Sequence, residues 1–229
     1  MNKFIGRINN NIQKRLDPIF SRYRVKKINN LDFTIISNNC WAGNAYRYFG
    51  LQYRTPTVGL YFFSDDYIKF ISNLKYYANC KLEMISADNS KYYEDLKKSG
   101  QLTVPVGKLD DIEIIFLHYK SAHEAEEKWN RRVKRINFNN IIIKFSKMNK
   151  CKKEHLLAFD RNIEVKRFMF VPYENTEYKT AIYYKGYENI HEIKNDTLHW
   201  NKYIDLIKLI NKPITMYNFK VYNGVKNEI

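Results

Sequence analysis

Between Leu31 and Leu74 the chain reads LDFTIISNNCWAGNAYRYFGLQYRTPTVGLYFFSDDYIKFISNL, a pattern that few folds accommodate. An apolar run, Phe33 to Ile36, stops at the polar tip Ser37-Asn38-Asn39-Cys40-Trp41-Ala42-Gly43-Asn44. A short helical patch follows, and then a second apolar run, Val58 to Phe63, stops at Ser64-Asp65-Asp66. Strand, polar tip, helix, strand, polar tip, helix is the rhythm of a parallel α/β sheet. Ligands of such sheets bind beyond the carboxyl ends of the strands, where both tips would lie.

The rhythm continues. Lys81 to Ile85 reads as a short strand, and Tyr92 to Lys98 as a helix closed by Gly100. Leu102 to Gly107 reads as a connection, since Pro105 does not suit a central strand. Ile112 to Leu117 is a buried strand ending at His118. The helix Ser121 to Ile136 opens with a capping box, Ser121 and Glu124, and carries the stripe Ala122, Ala125, Trp129, Val133, Ile136. Ile141 to Phe145, a helix over Lys152 to Phe159, and a strand over Val165 to Val171 complete a second unit. Thr180 to Tyr184 reads as a last strand and Leu198 to Ile210 as an amphipathic helix. The expected fold is a three-layer α/β/α domain with a mainly parallel sheet, built from two similar β-α-β halves with a smaller carboxyl-terminal appendage. It would span residues 31–229, with a sub-lobe boundary near 102–108.

Residues 1–30 form a distinct basic segment, with Lys3, Arg7, Lys14, Arg15, Arg22, Arg24, Lys26 and Lys27 against the single acid Asp17. Phe4, Ile5, Ile8, Ile12 and Leu16 recur at helical spacing up to the break before Pro18. Such a helix either lies on an anionic membrane, apolar face down, or packs on the domain with a solvated basic face. The net charge of +15 calls for an anionic partner, although part of it reflects a general abundance of lysine. Nucleic acid is not the expected partner, because no helix-turn-helix, RNP motif or zinc knuckle accompanies the charge. Three widely spaced cysteines without a Cys-x-x-Cys pair fit neither a disulfide framework nor a zinc site. With no signal-peptide pattern and no apolar run of membrane length, the expected place is the cytoplasm, peripheral at the inner face of the membrane.

Four groups of residues carry candidate chemistry. In the first tip, Ser37, Asn38, Asn39 and Asn44 can hydrogen-bond a sugar or base, Trp41 can stack on it, and Gly43 supplies a backbone position other residues resist. The helix that follows would attract phosphate at its N-terminus. The same residues also fit an ordinary turn with Asn caps and a core tryptophan. Asp65 and Asp66 offer two hard oxygen ligands for Mg²⁺ or Mn²⁺ beside a diphosphate, or they serve the dipole of a helix capped by Ser64. His118 at a strand end can act as a general base, or be structural. Trp129, Arg132 and Arg135 share a helix flank suited to phosphate recognition, or to solvent, balanced by Glu124, Glu126 and Glu127.

Ser37-Asn38-Asn39-Cys40-Trp41, Pro56-Thr57-Val58-Gly59-Leu60, Pro105-Val106-Gly107, Leu117-His118-Tyr119 and Trp129-x-x-Arg132-x-x-Arg135-Ile136-Asn137 together resemble a bacterial exopolysaccharide-biosynthesis family. That family is largely a domain of unknown function, named from genes found with capsule and surface-polysaccharide loci. The resemblance runs from about Phe33 to Val171, with Ala42 standing where a glycine is expected beside Gly43. It implies a role in polysaccharide assembly and marks Asn38, Asn39, Trp41, His118, Trp129, Arg132 and Arg135 as site residues. The function expected is a transferase acting on a nucleotide-activated or lipid-diphosphate-linked sugar. In that scheme Arg132 and Arg135 clamp phosphate, Asn38 and Asn39 orient the sugar or base, His118 deprotonates the acceptor, and Asp65 or Asp66 holds a metal. The alternative is a non-catalytic binding protein for an anionic glycan, glycolipid or other phosphorylated ligand.

Overall fold

The computed structural model describes residues 18–161, 165–174 and 177–213. The helix expected from Phe4 to Leu16, like the chain beyond residue 213, lies outside them. Residues 18–25 are helical (α1). Ile19, Phe20 and Tyr23 of α1 stay exposed beside Arg22 and Lys26. Its Arg24 stacks on the Tyr48 ring at 3.7 Å and donates to the Tyr48 carbonyl at 2.9 Å.

Four strands make one fully parallel sheet: β1 (Thr34–Ser37), then β5 (Ile141–Ser146), β6 (Lys166–Val171) and β7 (Ala181–Tyr183), in that order. The side-chain alternation of β5 sorts its two faces. Ile141, Ile143 and Phe145 join a core with α3 (Ser64–Ser72), α6 (Ala122–Val133) and α7 (Lys153–Arg161). Ile142 joins the opposite core with α2 (Trp41–Phe49) and α8 (Leu206–Asn211). The expected three-layer α/β architecture with a mainly parallel sheet is present.

The two halves do not repeat each other. The run Val58 to Phe63, expected as a parallel strand, is an irregular bridge between two sheets. The Phe62 amide donates to the Asn38 carbonyl at 3.0 Å, while Tyr61 exchanges both backbone bonds with Ile115, each at 2.9 Å. Its apolar residues are still required: Leu60 and Phe62 point into the core under the parallel sheet, Tyr61 and Phe63 into a smaller one. That smaller core belongs to a three-stranded antiparallel sheet, β2 (Glu83–Ile85), β3 (Val106–Leu109) and β4 (Ile112–Ile115). β3 and β4 form a hairpin whose turn, Asp110-Asp111, uses a left-handed Asp110 at φ +53°. The stretch read as a boundary near 102–108 therefore runs straight into a strand of this sheet. α4 (Leu74–Asn79) precedes β2, and α5 (Tyr93–Lys98) lies between β2 and β3.

Two smaller corrections have local causes. Ser121 caps α6 as expected, accepting from the Glu124 amide at 3.1 Å, but the Glu124 carboxylate reaches Lys120 N, one residue before the cap. The helix expected over Leu198 to Ile210 is divided into a 3₁₀ turn, Trp200–Lys202, and the short α8, because Asp205 starts a new helix by capping the Lys208 amide.

Candidate functional site

Beyond the carboxyl ends of β1 and β5 lies a cleft of about 870 Å³. One wall is α2, a helix with two unlike faces. Trp41, Ala42, Ala45, Tyr46 and Phe49 are buried on the sheet side, while Cys40, Gly43, Asn44 and Arg47 line the cleft. The spacing 40, 43, 44, 47 is one helical face. The other walls come from Asp95, Ser99 and Gln101, from the β5 tip Met148-Asn149-Lys150, from the segment Glu192 to Thr197, and from the loops that carry Val58-Gly59 and Leu117-His118.

Half of the first polar tip, Ser37, Asn38, Trp41 and Ala42, lies behind the cleft and does not line it. Ser37 and Asn38 are fully buried. Asn38 exchanges two hydrogen bonds of 3.0 Å with the backbone of Ser146, so its amide prolongs the β1–β5 ladder. Ser37 Oγ receives the Ala42 amide at 3.0 Å, and Asn39 Oδ1 receives the Trp41 amide at 3.1 Å. These are two of the first-turn donors that a phosphate at the N-terminus of α2 would need, and both are already engaged. Trp41 is not a ligand-stacking residue: it is fully buried, with its ring edge-on to Phe168 at 5.4 Å and Trp200 at 5.1 Å. Its indole N–H has no partner among the described residues, so ring packing alone holds it.

Beside these residues is a buried ion pair absent from the expected site. Lys144, in the middle of β5, projects its ammonium to the Asp196 carboxylate, and both side chains are 0% exposed. Asp196 also accepts from Ser146 Oγ at 2.6 Å and from Asn39 Nδ2 at 2.9 Å, while Lys144 Nζ reaches Asn39 Oδ1 at 3.2 Å. Asn39 therefore lines the cleft with its amide already bound on both ends. Burial pulls the Lys144 ammonium below the ordinary lysine value, with Asp196 opposing it. Burial, then Asp196, pushes the neighbouring Cys40 thiol up to about 11. At neutral pH that thiol is protonated and a poor nucleophile.

His118 stands at the cleft, exposed, and its ring has no hydrogen-bond partner among the described residues. Its backbone amide donates to the Gly59 carbonyl at 2.9 Å. Gly59 has φ +73°, and a Cβ there would come within 3.1 Å of the Tyr119 ring, so only glycine lets the two loops meet. Gly43 serves a similar close approach: its added Cβ would lie 3.0 Å from Val58 Cγ1.

Arg132 and Arg135 hold that loop from behind. Arg132, 7% exposed, donates to the Tyr119 hydroxyl at 2.5 Å, and that hydroxyl donates to the Val58 carbonyl at 2.5 Å. Arg135 donates to the Tyr53 carbonyl at 3.2 Å. Trp129 is buried against Phe70 and Phe116. None of the three lines the cleft, so the expected phosphate clamp is corrected to a brace that orders residues 53–59.

The acidic pair is not brought together either. Asp65 accepts from His155 Nε2 at 2.8 Å, the tautomer being fixed by the Lys152 amide donating to Nδ1 at 3.0 Å. Asp66 is buried, accepting from Lys91 Nζ at 2.7 Å and the Glu113 amide at 2.8 Å. Burial raises its carboxyl above the ordinary range, with those two donors opposing. Ser64 does not cap α3, since its hydroxyl donates to the Met148 carbonyl at 2.8 Å. Both carboxylates lie outside the cleft, and among the described residues no group of three or more His, Cys, Asp or Glu could hold a metal. The pair does not fit Mg²⁺ or Mn²⁺.

Sequence reasoning missed Arg47, Asp95, Lys150, Glu192 and Asp196. Arg47 was readable, one turn beyond Gly43 on the same face. The segment around Asp196 gave only its Asn195-Asp196-Thr197 turn, in which Asn195 Oδ1 accepts the Thr197 amide at 2.9 Å. No helix among the described residues is long and apolar enough to cross a membrane.

An uncharacterized protein of Haemophilus influenzae is 28% identical over 209 residues, a stretch covering 90% of this chain and 95% of its own. A family match covers residues 11–213, taking in every wall of the cleft and the brace behind it, and the chain belongs to that family, described as domain of unknown function DUF1919.

Proposed function

We propose that the cleft binds a sugar carried on a nucleoside diphosphate or a lipid diphosphate, and that the protein is a transferase of cell-surface polysaccharide assembly. The observation that carries this reading is an exposed His118, its ring without a hydrogen-bond partner among the described residues, in a cleft of about 870 Å³ at the carboxyl edge of a parallel sheet. The volume suits a ligand of nucleotide-sugar size. Asn44, Ser99, Gln101, Asn149 and Thr197 give the lining a density of amides and hydroxyls that matches sugar hydroxyls. The resemblance of the motifs around His118 and Cys40 to proteins of polysaccharide loci supports the same class.

In the reaction, the imidazole of His118 takes the proton of an acceptor hydroxyl as its oxygen bonds to the anomeric carbon. The bond from that carbon to the phosphate oxygen breaks, and the diphosphate leaves with the electron pair. No step runs through Asp65 or Asp66.

A second reading, a binding protein without turnover, is favoured by one observation. His118 has no carboxylate among the described residues to orient it, as a general base usually has.

Ligand-dependent melting tests the shared premise. A nucleotide sugar or lipid-diphosphate sugar at a hundredfold excess over its Kd should stabilise the intact protein by about 2.7 kcal/mol. A rise confined to sugar-bearing diphosphates is expected. No rise with any of them, from a well-folded sample, would sink the transferase reading and any binding reading that rests on a sugar diphosphate.

A further inference from the structure

A diphosphate in the cleft needs a cation, and most of those nearby are engaged. The first two amides of α2, those of Trp41 and Ala42, are held by Asn39 and Ser37, and Arg132 and Arg135 brace the loop. Lys144 is buried with Asp196. Lys150 pairs with Asp95 at 2.7 Å, and Lys194 with Glu192 at 2.9 Å. Arg47 differs from all of these. It is exposed, it lines the cleft, and its guanidinium is held by the neutral side-chain oxygen of Asn44, with no carboxylate partner among the described residues.

We propose that Arg47 is the phosphate-binding residue of the cleft and Asn44 its positioning residue, an assignment that rests on the sugar-diphosphate reading above. Asn44 Nδ2 donates to the Cys40 carbonyl at 3.2 Å, which turns its oxygen toward Arg47. One bond to that oxygen leaves the other guanidinium N–H groups for a bidentate contact with phosphate. Between Arg47 and the mouth of the helix only Cys40, Gly43 and Asn44 face the cleft, small side chains that leave the anion room. The ligand is thereby oriented: its diphosphate lies along α2, and its sugar faces the wall of Ser99, Gln101 and Asn149, where amides and hydroxyls concentrate.

Calorimetric titration of the intact protein with inorganic pyrophosphate, a nucleoside diphosphate and the sugar-bearing diphosphates tests the assignment. Arg47→Gln should weaken binding roughly ten- to hundredfold, the loss of one charge-assisted contact. Arg47→Lys should recover only part, since an ammonium cannot make the bidentate contact. Asn44→Ala should weaken binding severalfold, and Arg131→Gln, on the exposed face of α6 and paired with Glu127, should change nothing. Melting temperatures of the Arg47 variants should match the wild type, as its side chain is exposed. Wild-type affinity retained in Arg47→Gln, or an equal loss in Arg131→Gln, overturns the assignment and leaves the functional reading standing. A wild type that binds none of these probes overturns both.

Discussion

Asp196→Ala is expected to destabilise this protein by about 3–5 kcal/mol, the usual consequence of leaving one member of a buried ion pair without its partner. The effect should be that large because the Lys144 ammonium is 0% exposed and, without Asp196, keeps the neutral Asn39 oxygen at 3.2 Å and the faces of Trp41 and Phe170, with no carboxylate among the described residues. The loss should also depend on pH in a defined direction. Burial already sets the folded-state value of Lys144 below 10.5, and removing Asp196 takes away the main opposing influence. The folded variant then holds the amine neutral over a range in which the unfolded chain still binds a proton. Stability must therefore rise as pH rises through the folded-state value, levelling off above the unfolded value. Since that rise begins at lower pH in the variant than in the wild type, the deficit should be larger near neutrality than in alkali. Adding Lys144→Met should restore much of the lost stability, because a buried charge is replaced by an apolar chain of similar length. Urea unfolding across pH measures all three. A deficit below about 1 kcal/mol at neutral pH would mean that the pair is not sealed from water.

His118→Ala should divide binding from turnover. Its ring makes no hydrogen bond among the described residues, so stability should change by no more than about 0.5 kcal/mol, as for other surface positions. Sugar transfer should fall by about 10²–10⁴-fold, the typical contribution of a general base, with ligand affinity nearly unchanged. His118→Gln keeps a polar side chain but no base, and should be as inactive as the alanine. A wild-type protein that binds sugar diphosphates and never releases the free diphosphate supports the binding-protein reading instead. Transfer that survives both substitutions would remove His118 from the chemistry.

The parallel sheet was legible because three of its strands are short, predominantly apolar runs: Phe33 to Ile36, Ile141 to Phe145 and Val165 to Val171. A strand buried on both faces has to read that way. Val58 to Phe63 has the same composition for another reason, since successive residues enter two different cores without joining a ladder. Composition reports burial and cannot report hydrogen-bond partners. Arg132 illustrates the complementary failure. A charge on a helix flank is read as solvent-facing, yet the Tyr119 hydroxyl and the backbone behind it make a buried guanidinium tolerable. Lys144 posed the question in plain sight: a lysine inside Ile-Ile-Ile-Lys-Phe demands a buried carboxylate. The answer lies 52 residues downstream in an irregular segment, beyond the reach of any spacing rule. The polar tip after β1 was located correctly as the edge of the cleft, but half of its residues lie behind the cleft.

Hydrogen–deuterium exchange on the intact protein, with and without the sugar diphosphate that raises its melting temperature most, tests the central claim that this cleft is the binding site. Bound ligand slows exchange where it removes local opening of the backbone. Slowed exchange is predicted in residues 39–47, 95–101, 148–150 and 192–197, four of the segments that line the cleft. Protection confined to other segments, such as 121–136 on α6, with these four unchanged, would contradict it.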